Sequence, residues 1–156
     1  MSRVVVIGIG NPDRGDDAFG RVVAARLRGR LPEHVRLIEQ DGEATTLLEE
    51  LSETDTAIVI DAAVSGREPG DIHRFDAARE SLPAAKFGLS THGFGLGEAI
   101  ELARILGQLP SRCIVYAVEA RSFELGAPLS PELARVVDEI AARVIGEAEQ
   151  WSPADA

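Results

Sequence analysis

The chain contains one cysteine, Cys113, in 156 residues. That excludes an internal disulfide and suits a reducing cytoplasm. No apolar run approaches the roughly 20 residues of a membrane span. Basic charge is scarce: 16 lysines and arginines stand against 26 aspartates and glutamates, a net charge of −10. This balance disfavours nucleic acid, whose phosphates need a basic face, and anionic membrane surfaces. There is no internal repeat, no low-complexity tract, no His-Glu-x-x-His, no Gly-x-Ser-x-Gly and no Walker loop, which sets aside the enzyme classes those motifs mark. The N-terminus enters an apolar run almost at once, so no secretory signal is expected.

What is present is an ordinary globular composition, 45% apolar, and enough length for one domain with a real core. A single α/β domain is expected over residues 1–150, with a flexible tail at 151–156. Val4–Ile9 is a β-branched run of the kind buried on both faces of a sheet. Asp16 or Asp17 can cap a helix running to about Arg30, with Phe19, Val22, Val23 and Leu27 at core spacings and Pro32 beyond its end. Val35–Glu39 reads as strand two, Gln40-Asp41-Gly42 as a turn, and a short helix follows with Leu47, Leu48 and Leu51 inward. Ala57–Ile60 is a second buried strand ending at Asp61, and Ile72–Phe75 an edge strand. The stretch from Ala77 to Ser90 reads as irregular. After Thr91-His92-Gly93 a helix places Leu96, Ile100, Ala103 and Leu106 on one face. Cys113–Val118 is a further strand. Ser130-Pro131 supplies a cap and first-turn proline for a last helix burying Leu133, Val136, Val137, Ile140 and Val144. Alternating strands and helices make a three-layer α/β domain with a mostly parallel sheet.

The first strand breaks into Gly8-Ile9-Gly10-Asn11-Pro12-Asp13-Arg14-Gly15-Asp16-Asp17. A glycine loop there normally cradles phosphate at a helix start. Three aspartates instead repel pyrophosphate and attract a cation. Gly8-Ile9-Gly10 begins a dinucleotide fingerprint, and Asp41 could imitate a ribose carboxylate, but position 13 is Asp rather than Gly. In open α/β sheets ligands bind beyond the carboxyl ends of the strands, where chain order reverses. With strands in a 2-1-3 order, the loop at residues 13–17 and Asp61 flank that crevice, and His92 reaches the same rim. Two carboxylates and an imidazole suit a borderline divalent ion such as nickel, zinc or cobalt, with open positions. Each has a plainer reading: Asp16 and Asp17 as caps, and His92 as a satisfied loop histidine. A carboxylate ending an apolar strand, as Asp61 does, rarely lacks a partner. His34 reads as exposed, His73 as a solvated partner on the edge strand, and Cys113 as a small hydrophobe without a local base.

Taken together, Gly8-Ile9-Gly10-Asn11 with Gly15-Asp16-Asp17, then Ile60-Asp61-Ala62, then Ser90-Thr91-His92-Gly93-Phe94-Gly95-Leu96 resembles the hydrogenase maturation protease family. Its members trim the C-terminus of the nickel-iron hydrogenase large-subunit precursor. The likeness covers nearly the whole chain, in the family's order. It implies an α/β/α sandwich with a five-stranded sheet of order 2-1-3-5-4 and strand four antiparallel. It implies catalytic and metal-binding roles for Asp17, Asp61 and His92, and substrate recognition by Asp41-Gly42. Gly8, Gly10, Asn11 and Asp16 would shape the loop. The implied metal is nickel supplied by the substrate, with zinc or cadmium able to stand in, and no nucleotide. The implied enzyme is a cytoplasmic, monomeric, metal-gated endopeptidase of aspartic-peptidase-like chemistry, whose partner is the precursor. Alternatives are a non-catalytic nickel checkpoint or carrier, and a cofactor-dependent oxidoreductase. Ala18 stands where members often have glycine, and Glu43-Ala44 replaces the common Gly-Thr. Both departures bear on which hydrogenase type is served.

Overall fold

Six consecutive apolar or glycine residues at Val4–Ile9 form a strand, β1, that is buried throughout. Strands expose successive side chains to opposite faces, so this run feeds two cores. Val4 and Val6 enter one, while Val5, Ile7 and Ile9 enter the other. The computed structural model describes residues 3–80 and 96–151. Around β1 stand β2 (Val35–Gln40), β3 (Thr56–Ala63), β4 (Ile72–Asp76) and β5 (Arg112–Glu119). The order is β2-β1-β3-β5-β4, with β4 antiparallel to β5 and the other pairs parallel. This is the mixed five-stranded sheet expected from the sequence resemblance.

Helices cover both faces. On one lie α1 (Phe19–Leu27) and the later α5 (Val137–Gln150), whose Phe19, Val23, Leu27, Ile140 and Val144 pack on Val6, Ile58 and Ile60. On the other lie α2 (Ala44–Ser52) and α3 (Leu96–Ile105), whose Leu47, Leu51, Ile100 and Ala103 pack on Ile7, Val59 and Val115. A four-residue helix, α4 (Pro131–Ala134), precedes α5. The edge strand is tied to the α1/α5 layer: Arg74 forks onto Glu147, which also accepts from the Tyr116 hydroxyl. No described helix is long and apolar enough to cross a membrane.

Several local expectations are corrected. The first helix ends at Leu27 rather than Arg30, because Arg28 turns extended and Gly29 adopts a left-handed φ of 75°. Leu106 does not share the buried face of α3. It lies past the helix end and is 55% exposed, where Gly107 at φ 69° redirects the chain. The last helix is two helices, and a tight bond from Val136 N to Leu133 O (3.1 Å) marks the break. Val136 is only partly buried there. His34 is half-buried rather than exposed, its Nε2 bonded to the Trp151 carbonyl at 2.6 Å. Trp151, assigned to the tail by sequence, is buried in the α1/α5 core. Residues 81–90 of the stretch expected to be irregular, and residues 152–156, lie outside the described residues.

Candidate active site

The carboxyl end of β1 meets the start of α1 at backbone contact distance. A Cβ at Gly8 would stand 2.3 Å from the Gly20 carbonyl, and one at Gly10 only 2.0 Å from the Asp17 carbonyl. Glycine at these positions is therefore what allows the loop to fold back on its own strand. The fold-back is closed by Asn11 N donating to Asp17 O (3.1 Å) and Asp17 N donating to Arg14 O (3.0 Å). Asn11 also accepts Asp13 N through Oδ1 at 2.9 Å, an Asx turn. Gly10 N donates to Gln40 O across to β2. The result presents Asp17 at 3% exposure, in a single 3-10 turn at Gly15–Ala18 that enters α1. Gly10→Ala forces the loop away from its strand. It should lower stability by about 1–3 kcal/mol, the scale of an overpacked core; urea unfolding measures it, and an unchanged midpoint would contradict the close approach.

Asp61 stands on the next strand. β3 pairs with β1 on one side and β5 on the other, and Asp61 is in register with Ala117. Val59 and Ala117 belong to the core under α2 and α3, so Asp61 faces that layer. The α1 start touches the same strand end, since a Cβ on Gly20 would lie 2.4 Å from Ile60 O. Burial, and secondarily the negative charge of Asp17, push the Asp61 carboxyl well above the usual aspartate range. The Ala62 N–H, donating to Oδ1 at 2.8 Å, opposes this only in part. Two carboxylates from separate strand ends thus lie within electrostatic reach. His92 precedes α3 in sequence and lies outside the described residues, as do the other residues of the Ser90–Gly95 motif. Among the described residues, no three His, Cys, Asp or Glu groups form a metal-ready cluster.

Asp16 has a different position from the one its sequence suggests. Neither the 3-10 turn nor α1 carries a side-chain cap, so neither Asp16 nor Asp17 caps the helix. Asp16 is 1% exposed. Its carboxylate accepts from Arg121 N (2.8 Å), Ser122 N (3.2 Å), Ser130 N (2.7 Å) and Ser130 Oγ (2.9 Å). Return bonds run from Asp16 N to Ser122 O (2.9 Å) and from Gly126 N to Asp13 O (2.7 Å). The segment after β5 is therefore bolted onto the acidic loop. Ser130 is the residue before α4, but its hydroxyl serves Asp16 instead of the helix; only Pro131 keeps its expected place in the first turn.

On the β2 side, Asp41 turns its Oδ1 back to Glu43 N (2.9 Å), and Gly42 takes φ 90°, a left-handed value glycine reaches without strain. Glu43 caps α2, accepting from Thr45 N, Thr46 N and Thr46 Oγ1. These bonds hold its carboxyl down at about 2. A cleft of about 580 Å³ opens between this turn, Asn11, and residues of α2 and α3.

Sequence reasoning missed Glu119. It ends β5 with its carboxylate buried, accepting from Ser65 N and the Ser65 hydroxyl, and so fixes the turn after β3. The signal was available: Glu119 closes an apolar strand, the feature that singled out Asp61. His73 is half-buried, stacked on Phe75 and in contact with Arg67. Cys113 is buried, and burial, with the charge of Asp76, pushes its thiol up to about 12. That makes it inert as a nucleophile.

Comparison with known proteins matches the chain, over residues 22–147, to the family model described as hydrogenase maturation protease. The hydrogenase expression/formation protein HupD of Rhodobacter capsulatus is 32% identical over 96% of this chain and 72% of its own. The solved structure of the hydrogenase maturating endopeptidase HybD from Escherichia coli superposes with a TM-score of 0.77 at 24% identity, covering 95% of this chain and 93% of that one. The nickel-iron hydrogenase maturation protease HycI from Thermococcus kodakarensis superposes with a TM-score of 0.71 at 27% identity, over the same shares of the two chains. The shared sheet order, the acidic strand-end loop and these matches lead to one conclusion: the chain belongs to the hydrogenase maturation protease family, a family of endopeptidases.

Proposed function

We propose that this protein removes the C-terminal extension of a nickel-loaded hydrogenase large-subunit precursor, and that the nickel carried by that substrate is its recognition signal. The observation that carries the reading is the pairing of Asp17 with Asp61. Burial, and after it the negative charge of Asp17, raises the Asp61 pKa, and a dication bound between the two carboxylates would relieve both effects. Oxygen donors from two strand ends, with the His92 imidazole as the third, form an open ligand set rather than a closed cage. Nucleotide chemistry fits less well. The loop amides of residues 10, 11, 13, 14, 16 and 17 already bond within the protein, so few remain to hold a phosphate.

In this reading Asp17, Asp61 and His92 would hold the ion, which would supply Lewis acidity for the scissile carbonyl. The protein's own groups do the rest. Asp17 is fixed by the Gly10 and Asn11 contacts. Asp61, at the strand end beside the acidic loop, is the group assigned to take a proton from the attacking water. Asp41-Gly42 lines the approach for the polypeptide.

The test is intact-mass analysis of a precursor incubated with the protein, with and without nickel insertion. A C-terminal mass loss confined to the loaded sample is expected, and His92→Ala should abolish it. Equal cleavage of the unloaded precursor overturns the gating, and normal cleavage by the variant removes His92 from the site. Tight nickel binding with no cleavage would point instead to a checkpoint or carrier.

A further inference from the structure

The acidic loop carries one cation. Arg14 stands between Asp13 and Gly15, with Asp16 and Asp17 just beyond. Its main chain is pinned on both sides: Arg14 N donates to Asn11 O (3.3 Å), and Arg14 O accepts from Asp17 N (3.0 Å). Arg14 and Asp17 are thus the first and last residues of one turn, a spacing that keeps their Cα atoms within about 7 Å. The guanidinium pairs with none of the neighbouring aspartates. It makes no hydrogen bond or ion pair among the described residues, although Arg14 is partly buried. Nε is buried without a partner, whereas the two Nη nitrogens are not. The stem therefore packs against the protein while the far edge of the fork opens outward. A desolvated donor left unpaired costs stability.

Donors are what the rest of the loop lacks. The main-chain N–H groups of residues 10, 11, 13, 14, 16 and 17 are spent inside the protein, and Pro12 has none. Ionised Asp13, Asp16 and Asp17 only accept, which leaves Asn11 and Arg14 as the side chains of residues 10–17 that can donate. A polypeptide laid beside this loop presents main-chain carbonyl oxygens, and these need donors. An anionic segment fits less well, because the loop and the whole chain are net acidic.

We infer that Arg14 is a substrate-binding residue whose guanidinium donates to main-chain carbonyl oxygens of the precursor and holds that segment against the acidic loop. The inference rests on the protease reading for the identity of the polypeptide. A planar fork of donors suits the role. A small outward shift lets Nε share the acceptor that an Nη nitrogen engages, so the orphaned donor is satisfied in the complex. Because the Arg14 main chain is bonded to Asp17, the captured segment is set directly beside that carboxylate.

The experiment compares the parent protein with Arg14→Met and Arg14→Lys. In precursor processing, Arg14→Met should raise KM about tenfold, the loss of a charged hydrogen bond, and change kcat much less. Arg14→Lys, which keeps one charged donor, should recover part of the loss. The melting temperature should not fall, since the deleted Nε had no partner. Affinity for the uncut precursor is measured in a His92→Ala background with and without Arg14→Met, at low and at high salt. About tenfold weaker binding without Arg14 is expected at both. Equal binding, or a melting temperature that falls with affinity, overturns the inference. So does a difference that disappears at high salt, which marks a carboxylate partner. If the parent cuts the precursor and Arg14→Met matches its KM, only the Arg14 assignment falls. If the parent cuts no precursor, the protease reading falls, while the binding comparison still decides whether Arg14 grips the polypeptide.

Discussion

Asp61→Asn should leave the protein folded, more resistant to heat without metal, and unable to process a precursor. The carboxyl group of Asp61 holds its proton more tightly in the folded chain than in the unfolded one, because partial burial and, after it, the negative charge of Asp17 both oppose its ionisation. Between the ordinary aspartate value of about 3.9 and the raised folded value, the folded state binds more protons. Its stability therefore falls as pH rises across that window. Asparagine removes this dependence and keeps an oxygen for the Ala62 N–H. The variant should gain about 1 kcal/mol over the parent at neutral pH, a size typical of relief at a strained functional site. The gain should vanish at pH values below the ordinary aspartate range. Activity should move the other way, by about 10²–10⁴-fold, the scale of a lost general base. Melting curves in chelator at low and neutral pH, beside the mass assay, decide this. A variant that melts earlier at neutral pH, or that cleaves normally, removes Asp61 from its assigned place.

Asp16→Ala should do the reverse, crippling the fold first and activity as a result. The substitution strips acceptors from three backbone N–H groups and one hydroxyl that meet at a residue 1% exposed. Each stranded donor costs about 1–3 kcal/mol, reduced where the loop can swing into water. A total near 3–5 kcal/mol is expected, comparable to breaking a buried ionic contact. Set against a usual domain stability of about 5–15 kcal/mol, that is a large share. Asp16→Asn should also be poor, because its amide would point a donor at donors. Ser130→Ala, losing only one bond, should be mild. Chemical denaturation of the three variants gives the ranking. An Asp16→Ala cost below about 1 kcal/mol would mean the loop attachment lies elsewhere.

The contrast between these neighbours shows what a sequence discloses. The strands were legible because β1, β3 and β5 are apolar runs buried on both faces, and alternation with helices implies parallel pairing. Asp61 was legible because a carboxylate closing such a run is anomalous. The 2-1-3 order then put its strand end beside the one that leads to Asp17, and β1 and β3 are indeed neighbours. Asp16 was not legible. Local rules offered helix capping, yet its partners lie 105 to 114 residues away, beyond any periodicity. The same limit hid the His34 contact with Trp151 and the Ser65–Glu119 pair. Helix ends failed for a related reason, since glycines at 29 and 107 act through left-handed turns whose position depends on what packs beneath.

The interlock of residues 13–16 with 121–130 has a consequence for synthesis. The acidic loop leaves the ribosome early, but every donor that grips Asp16 belongs to a stretch translated much later. During most of translation the nascent chain therefore carries its aspartates on an unclamped hairpin of β1 and α1. The loop gains these bonds only once residues 121–130 have been made, so in an unfinished polypeptide nothing yet fixes its shape around Asp16.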